Sequence, residues 1–349
     1  MYKIIGNSSA KIKVFMITAL MISTICFSKE VSDGIYKGIY FCAEILVPSI
    51  FPFMVVSALT AKSELSFSGR IIGKIFRSVF GLSEKTAVAV LIGVFGGYPV
   101  GARAIGTLYK EKAISEKEAV IAAYTAVGAG PGFLITFIGI KLLHSFEAGI
   151  VLLISQFLSV IIIAIINRII FGKENYISNN EYKRPRKAKN IFIESVSCAV
   201  YATIEMCAMV CVFSAFSSVI EKYLGNHNLI YILLEVTRAC LKLSENSNLL
   251  FIAFAVGFGG ICVHFQIFQA LGNIRINKLL FFLYRIIQGL ITAFFTYILT
   301  KLFNITIPVF SNTKGNFPLG LSSSVLGSTL LIITGFCFLY SIHNNKLED

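Results

Sequence analysis

The sequence predicts an all-α, polytopic membrane protein of about seven spanning helices plus two re-entrant hairpins, arranged as an inverted repeat. Three observations predict it. The 349 residues are 56% hydrophobic and 14% charged, with a mean hydropathy of +0.79, where a soluble domain carries about 25% charge. The apolar residues fall in long runs separated by short basic stretches, the pattern of spans and their flanking topology signals. Finally, glycine and proline cluster inside apolar sequence at Gly96-Gly97-Tyr98-Pro99 and at Gly128-Ala129-Gly130-Pro131-Gly132. Each glycine costs a helix roughly 1 kcal/mol and each proline roughly 3, so these clusters mark backbone that is not helical.

Residues 14–27 are apolar behind Lys3, Lys11 and Lys13. That fits a signal peptide or a retained first helix; no small-x-small cleavage site follows, which favours the helix. Residues 38–61 form a second span carrying Glu44, Pro48 and Pro52. Glu44 lies either at the interface, solvated, or in a protein-lined cavity, since acids within the membrane are costly. Residues 62–85 are amphipathic and basic, as in a helix lying on the cytoplasmic surface.

Thr86–Phe95 and Val100–Tyr109 are ten residues each, roughly 15 Å as helix. Neither crosses a core of about 30 Å, so they read as the arms of a re-entrant hairpin with its tip at 96–99. Residues 117–140 form a span broken at 128–132. Such a break supplies either a substrate site made of free backbone groups or a kink for close packing. Residues 148–166 are an unbroken span, and 167–190 a basic linker, with Arg184, Arg186, Lys187 and Lys189 near its end. The second unit follows the same plan: a span at 195–220 with Glu205, an amphipathic stretch at 228–245, and short arms at 248–258 and 261–271 about Phe258-Gly259-Gly260. A span at 279–300 and a last span at 325–342 complete it. On the second arm, His264 and Gln266 are either packing residues or ligands.

Sequence echoes support a duplication. Leu243-Ser244-Glu245 repeats Leu82-Ser83-Glu84 at an offset of 161, shared by Glu44 with Glu205 and Arg77 with Arg238; Phe258-Gly259-Gly260 repeats Phe95-Gly96-Gly97 at 163. The implied organisation is 1–37, an N-terminal tail and first helix; 38–166, the first repeat; 167–190, the linker; 191–303, the second repeat; and 304–349, a loop and last helix. Counting from a cytoplasmic start puts the basic linker inside, the first hairpin open to the inside and the second to the outside.

Composition also excludes classes. The net charge of +13 lies in loops flanking spans, which points to anionic lipid rather than nucleic acid. Aspartate occurs only at Asp33 and Asp349, so aspartate-rich metal–phosphate chemistry is absent from the spans. Of eight cysteines, Cys207 and Cys211 are i, i+4 neighbours without a nearby histidine, and no CxxC occurs; no metal site or cofactor is expected. No nucleophile–base pair is visible, so an enzyme is not expected.

Ile45–Phe53, the Gly96-Gly97-Tyr98-Pro99-Val100-Gly101-Ala102-Arg103 element, Gly128-x-Gly130-Pro131, Gly259-Gly260-x-x-Val263-His264-x-Gln266 and Tyr284-Arg285 resemble the YlbJ-type sporulation integral membrane proteins over roughly 40–300. That family is similar to the nucleoside-recognition, or Gate-domain, membrane proteins, among them concentrative nucleoside transporters. The resemblance implies a cell-membrane protein of the forespore, needed for endospore cortex assembly, with sporulation proteins or a second copy as partners.

Two functions follow. The first is a carrier for a small polar or anionic solute, its site at Gly96, Gly97, Tyr98, Pro99, Gly128, Gly130, Pro131, Gly259, Gly260, His264 and Gln266. Arg103 and Arg285 would pair with the solute or with Glu44 and Glu205. The second is a non-transporting scaffold that recruits cortex-synthesis partners through the basic linker.

Overall fold

The computed structural model describes residues 18, 21–22, 24–62, 77, 80–172, 190–225, 227–246 and 248–305. Half of the first span, most of the amphipathic stretch at 62–85, most of the linker and the whole last span lie outside them. Every regular element among the described residues is helical. Phe146–Phe171, Ile191–Tyr223, Leu249–Leu271 and Lys278–Leu302 are each long and apolar enough to cross a membrane.

α1 (Ser28–Phe41) runs through a π-wound turn at Cys42–Leu46 into α2 (Val47–Lys62). The helix therefore begins well before the span expected at 38–61. Glu30 and Lys37 are carried on α1, where Glu30 pairs with Lys222. This helix packs against α8 (Ile191–Leu224) through Gly34 and Gly38. A Cβ on Gly34 would stand 2.6 Å from the Ala215 Cα, and one on Gly38 2.8 Å from the Cys211 Cα. Two glycines four residues apart thus let backbones touch, the contact that drives helix pairing in lipid. Leucine at Gly38 is expected to separate α1 from α8 and to lower the melting temperature of the detergent-purified protein by several degrees.

α3 (Glu84–Gly96) and α4 (Tyr98–Lys110) pack on each other across Gly97. Gly97 sits at φ +90°, which only glycine adopts without strain. The arms cross where Gly93 faces Gly101. α5 (Glu116–Thr125) starts on a Ser115 cap, its hydroxyl accepting from the Glu118 N–H at 3.0 Å. Glu118 does not close the box back onto Ser115. Its buried carboxylate accepts from the Ser83 N–H at 2.8 Å and from the Thr86 hydroxyl, which ties the start of α5 to the start of α3. Residues 126–130 are not helical, and a helical Pro131 leads into α6 (Gly132–Leu142), which has a π-wound backbone. The span expected at 117–140 is therefore broken in its middle. α7 (Phe146–Phe171) follows a tight turn.

The second half departs from expectation at two places. The amphipathic stretch at 228–245 is two short helices, α9 (Asn228–Leu234) and α10 (Val236–Ser244), which pack on each other across Glu235. α11 (Leu249–Phe258) and α12 (Gly260–Leu271) do not fold back as hairpin arms; together they are one span-length helix broken at Gly259–Gly260. Both glycines have positive φ, +88° and +75°, which redirects the chain without reversing it. α13 (Lys278–Leu302) closes the unit.

The physical equivalences are thus not those of the sequence echoes. Each half runs hairpin, broken helix, long helix: α3–α4, α5–α6, α7, then α9–α10, α11–α12, α13. The hairpin tip at Gly97 answers to Glu235, and the break at 126–130 answers to Gly259–Gly260. Leu82–Glu84 opens α3 while Leu243–Glu245 closes α10, so that echo carries no structural correspondence. α7 and α13 lie antiparallel at the centre, with Gln156 opposite Thr292 and Ser159 opposite Gln288.

Candidate functional site

The two hairpin tips and the first break meet around one pocket, with a cavity volume of about 50 Å³, room for a few water molecules. Gly97, Tyr98 and Pro99 present the start of α4; Ala129, Gly130, Gly132 and Phe133 the start of α6; Glu235, Val236 and Thr237 the start of α10. Three helix N-termini therefore face one space. Each carries roughly half a positive charge, which at α4 and α6 favours an anionic or acceptor-rich group; at α10 the Glu235 carboxylate already answers it. The N–H groups of Gly128, Ala129 and Gly130 have no hydrogen-bond acceptor among the described residues.

Close backbone approach builds the pocket floor. A Cβ on Gly130 would meet the Phe95 carbonyl oxygen at 2.9 Å and the Gly97 nitrogen at 3.1 Å. A Cβ on Gly260 would lie 3.2 Å from both the Leu234 carbonyl oxygen and the Glu235 nitrogen. Each tip thus rests on the break of its own half, the same joint made twice. The walls are apolar, with Leu46, Met54, Phe133, Met206, Val210 and Val263.

Glu235 is the residue the sequence reading missed. It is 2% exposed, and its carboxylate accepts from the N–H groups of Thr237 at 2.8 Å and Arg238 at 2.7 Å. It caps α10 and at the same time brings a carboxylate to the pocket. Glutamate is not among the usual N-cap residues, and 228–245 reads in sequence as a single amphipathic stretch, so nothing there announced the cap.

A second cluster lies beneath the pocket. Arg285, fully buried on α13, donates through Nε to the Phe258 carbonyl at 3.1 Å, and through Nη1 to the Val127 carbonyl at 2.7 Å and to Gln288 Oε1 at 2.6 Å. Through Nη2 it donates to the Gly257 carbonyl. Gln288 Nε2 also reaches the Val127 carbonyl, at 3.2 Å. Tyr98 donates its hydroxyl to the Val256 carbonyl, and its ring lies 5.7 Å from the Arg285 guanidinium carbon. The first tip is in this way fastened to the second break.

Of the residues expected at a site, Gly96, Gly97, Tyr98, Pro99, Gly130 and Gln266 line the pocket. Pro131 is buried beside it, where the break runs into α6, and Gly128 backs against Gln156. Gly259 and Gly260 form the second break rather than a tip. His264 hydrogen-bonds through Nε2 with the Phe258 carbonyl at 3.0 Å, inside a cage of Phe258, Phe281 and Phe282. That is the packing role, away from the pocket. Arg285 pairs with helix ends and not with Glu44 or Glu205. Glu44 has an exposed side chain; its backbone carbonyl accepts from Lys141. Arg103 pairs with Glu205, which also accepts from Gln269 at 3.4 Å. This pair joins α4 to α8 outside the pocket, with side chains 32% and 44% exposed. A pair so exposed is screened, and Arg103→Ala is expected to change stability by less than about 1 kcal/mol in chemical denaturation.

Among the described residues no group of three or more His, Cys, Asp or Glu side chains is placed to hold a metal ion. No family model matches the chain, and no solved structure matches it. Among curated proteins it is similar to the sporulation integral membrane protein YlbJ of Bacillus subtilis (strain 168), 23% identical over 338 residues, covering 82% of this chain and 80% of that protein.

Proposed function

We propose that this multi-pass membrane protein is a carrier that moves a small polar or anionic solute by alternating access between its two hairpin tips, and that it acts in endospore formation. The observation that carries the first part is the convergence of three helix N-termini and one buried carboxylate on a single pocket between paired hairpins and paired broken helices. Broken helices are tolerated at membrane depth only where they line a cavity or are buried in protein, and facing half-helices are how secondary carriers build substrate sites. In this reading the solute places an acceptor-rich group on the amides of Ala129 and Gly130 and a hydrogen-bond donor on Glu235. The two hairpins enter from opposite sides of the membrane, the first from the cytoplasm. The second part rests on the similarity to YlbJ, described as a sporulation protein, together with the forespore-membrane placement that this likeness suggests.

Complementation tests the proposal. The chain is expressed in Bacillus subtilis lacking YlbJ, and heat-resistant spores are counted. The wild-type chain is expected to restore them, and neutralising the linker residues Arg184, Arg186, Lys187 and Lys189 to leave restoration intact. Gly130→Leu, which fills the tip–break joint, is expected to abolish it while the protein still accumulates in the membrane. The opposite pattern, with linker variants dead and Gly130→Leu active, would favour the scaffold reading.

A further inference from the structure

Breaking a helix inside the membrane frees carbonyls as well as N–H groups. The carbonyls of Gly257 and Phe258 end α11, that of Val127 lies in the break two residues past the end of α5, and all three point at one place. Each helix C-terminus carries roughly half a negative charge, so two ends call for about one unit of positive charge. In carriers with such breaks, unwound carbonyls and half-helix C-terminal ends coordinate the coupling Na⁺ or H⁺. Here the place is filled by a side chain. Arg285 is fully buried, and no carboxylate pairs with it among the described residues. Its partners are those three carbonyls, the Gln288 amide oxygen and the face of Tyr98.

We infer that Arg285 is a tethered cation, permanently occupying the position from which the two broken helices would otherwise hold a mobile coupling cation. A guanidinium keeps its charge in proteins and presents five donors in a rigid fork, four of which are matched here by acceptors. Deepening the carrier reading and resting on it, this makes transport independent of Na⁺ or K⁺ at this position. It also makes Tyr98 the link through which the first tip senses that fixed charge. The converse follows: without the side chain, the carbonyl cluster becomes an empty cation site that accepts a free guanidinium ion.

The test is thermal melting of the detergent-purified full chain, followed with a thiol-reactive dye that reports exposure of its buried Cys42, Cys240 and Cys262. It needs no substrate, so failure of the carrier reading leaves it standing, and its own failure leaves the pocket untouched. The wild type is expected to melt at the same temperature in sodium, potassium and choline chloride. Arg285→Gly is expected to melt several degrees lower and to be raised again by millimolar guanidinium chloride, but not by equal choline chloride. Arg285→Lys is expected to fall between and to ignore guanidinium. A saturable rise of the wild-type melting temperature with Na⁺ that Gln288→Ala removes would overturn the inference, as would a glycine variant indifferent to guanidinium. If the glycine variant cannot be purified, Arg285→Gln is compared with Arg285→Lys. The fixed charge requires lysine to melt higher, and glutamine melting at or above it would overturn the inference.

Discussion

Leucine at Gly93 or at Gly101 is expected to cost the protein its first hairpin. A Cβ on Gly93 would stand 2.3 Å from the Ala126 carbonyl oxygen and 2.9 Å from the Gly101 Cα; one on Gly101, 2.4 Å from the same oxygen and 2.7 Å from the Gly93 Cα. All of these neighbours are backbone, so no rotamer change relieves the clash. Overpacking a core costs typically 1–3 kcal/mol where side chains can move; with backbone on every side the expected cost is about 3 kcal/mol or more. The consequence reaches the site, because Ala126 opens the first break and Gly97 tops the hairpin. Size-exclusion profiles of the detergent-extracted variants should show loss of the monodisperse peak. Thr107→Leu, on the exposed face of α4, should leave it within about 0.5 kcal/mol of wild type.

Glu235→Ala is expected to damage both stability and function, and Glu235→Gln to damage stability less. Alanine removes the acceptor for the Thr237 and Arg238 N–H groups. Losing a cap costs about 0.5–2 kcal/mol, and stranding a buried donor costs about 1–3 kcal/mol, so a loss near 2 kcal/mol or more is expected in denaturant titration. Glutamine keeps one acceptor oxygen but turns its NH2 group toward the other N–H, since Thr237 bonds Oε1 and Arg238 bonds Oε2. It is expected to melt below wild type but above the alanine variant; in the proposed carrier it also loses the charge offered to the solute, so spore restoration should be lost. Full restoration by Glu235→Gln would reduce Glu235 to a cap.

The first half of the molecule was legible in the sequence because its breaks are spelled in glycine and proline. Gly96–Pro99 and Gly128–Gly132 are dense enough to exclude helix, and the structure turns or breaks at both. The second half misled for the same reason. Gly259-Gly260 looks like Gly96-Gly97, yet φ is +88° and +75° at two successive residues there, and the chain is redirected instead of reversed. The true second tip has no glycine at all. Glu235 stops α9 by adopting an extended backbone, φ −152° and ψ 120°, and starts α10 by capping it, a signal carried by side-chain hydrogen bonds that no run of residue types announces. Arg285 was visible as a charged residue inside a span. Its partners were not, because carbonyls freed by breaks far apart in the chain leave no mark in the sequence. Glu44 and Glu205 shared an offset and nothing else.

The opposed hairpins are tested most directly by single cysteines at Glu84, Glu111, Asn228 and Glu245, all exposed at the hairpin bases, on a cysteine-free background. Each is probed with a membrane-impermeant thiol reagent from either side. The account predicts that 84 and 111 label only from the cytoplasm and 228 and 245 only from outside. If 84 and 111 label from opposite sides, the first hairpin spans the membrane, and if all four label from one side, the halves are parallel; either result would contradict a carrier built on two opposed re-entrant tips.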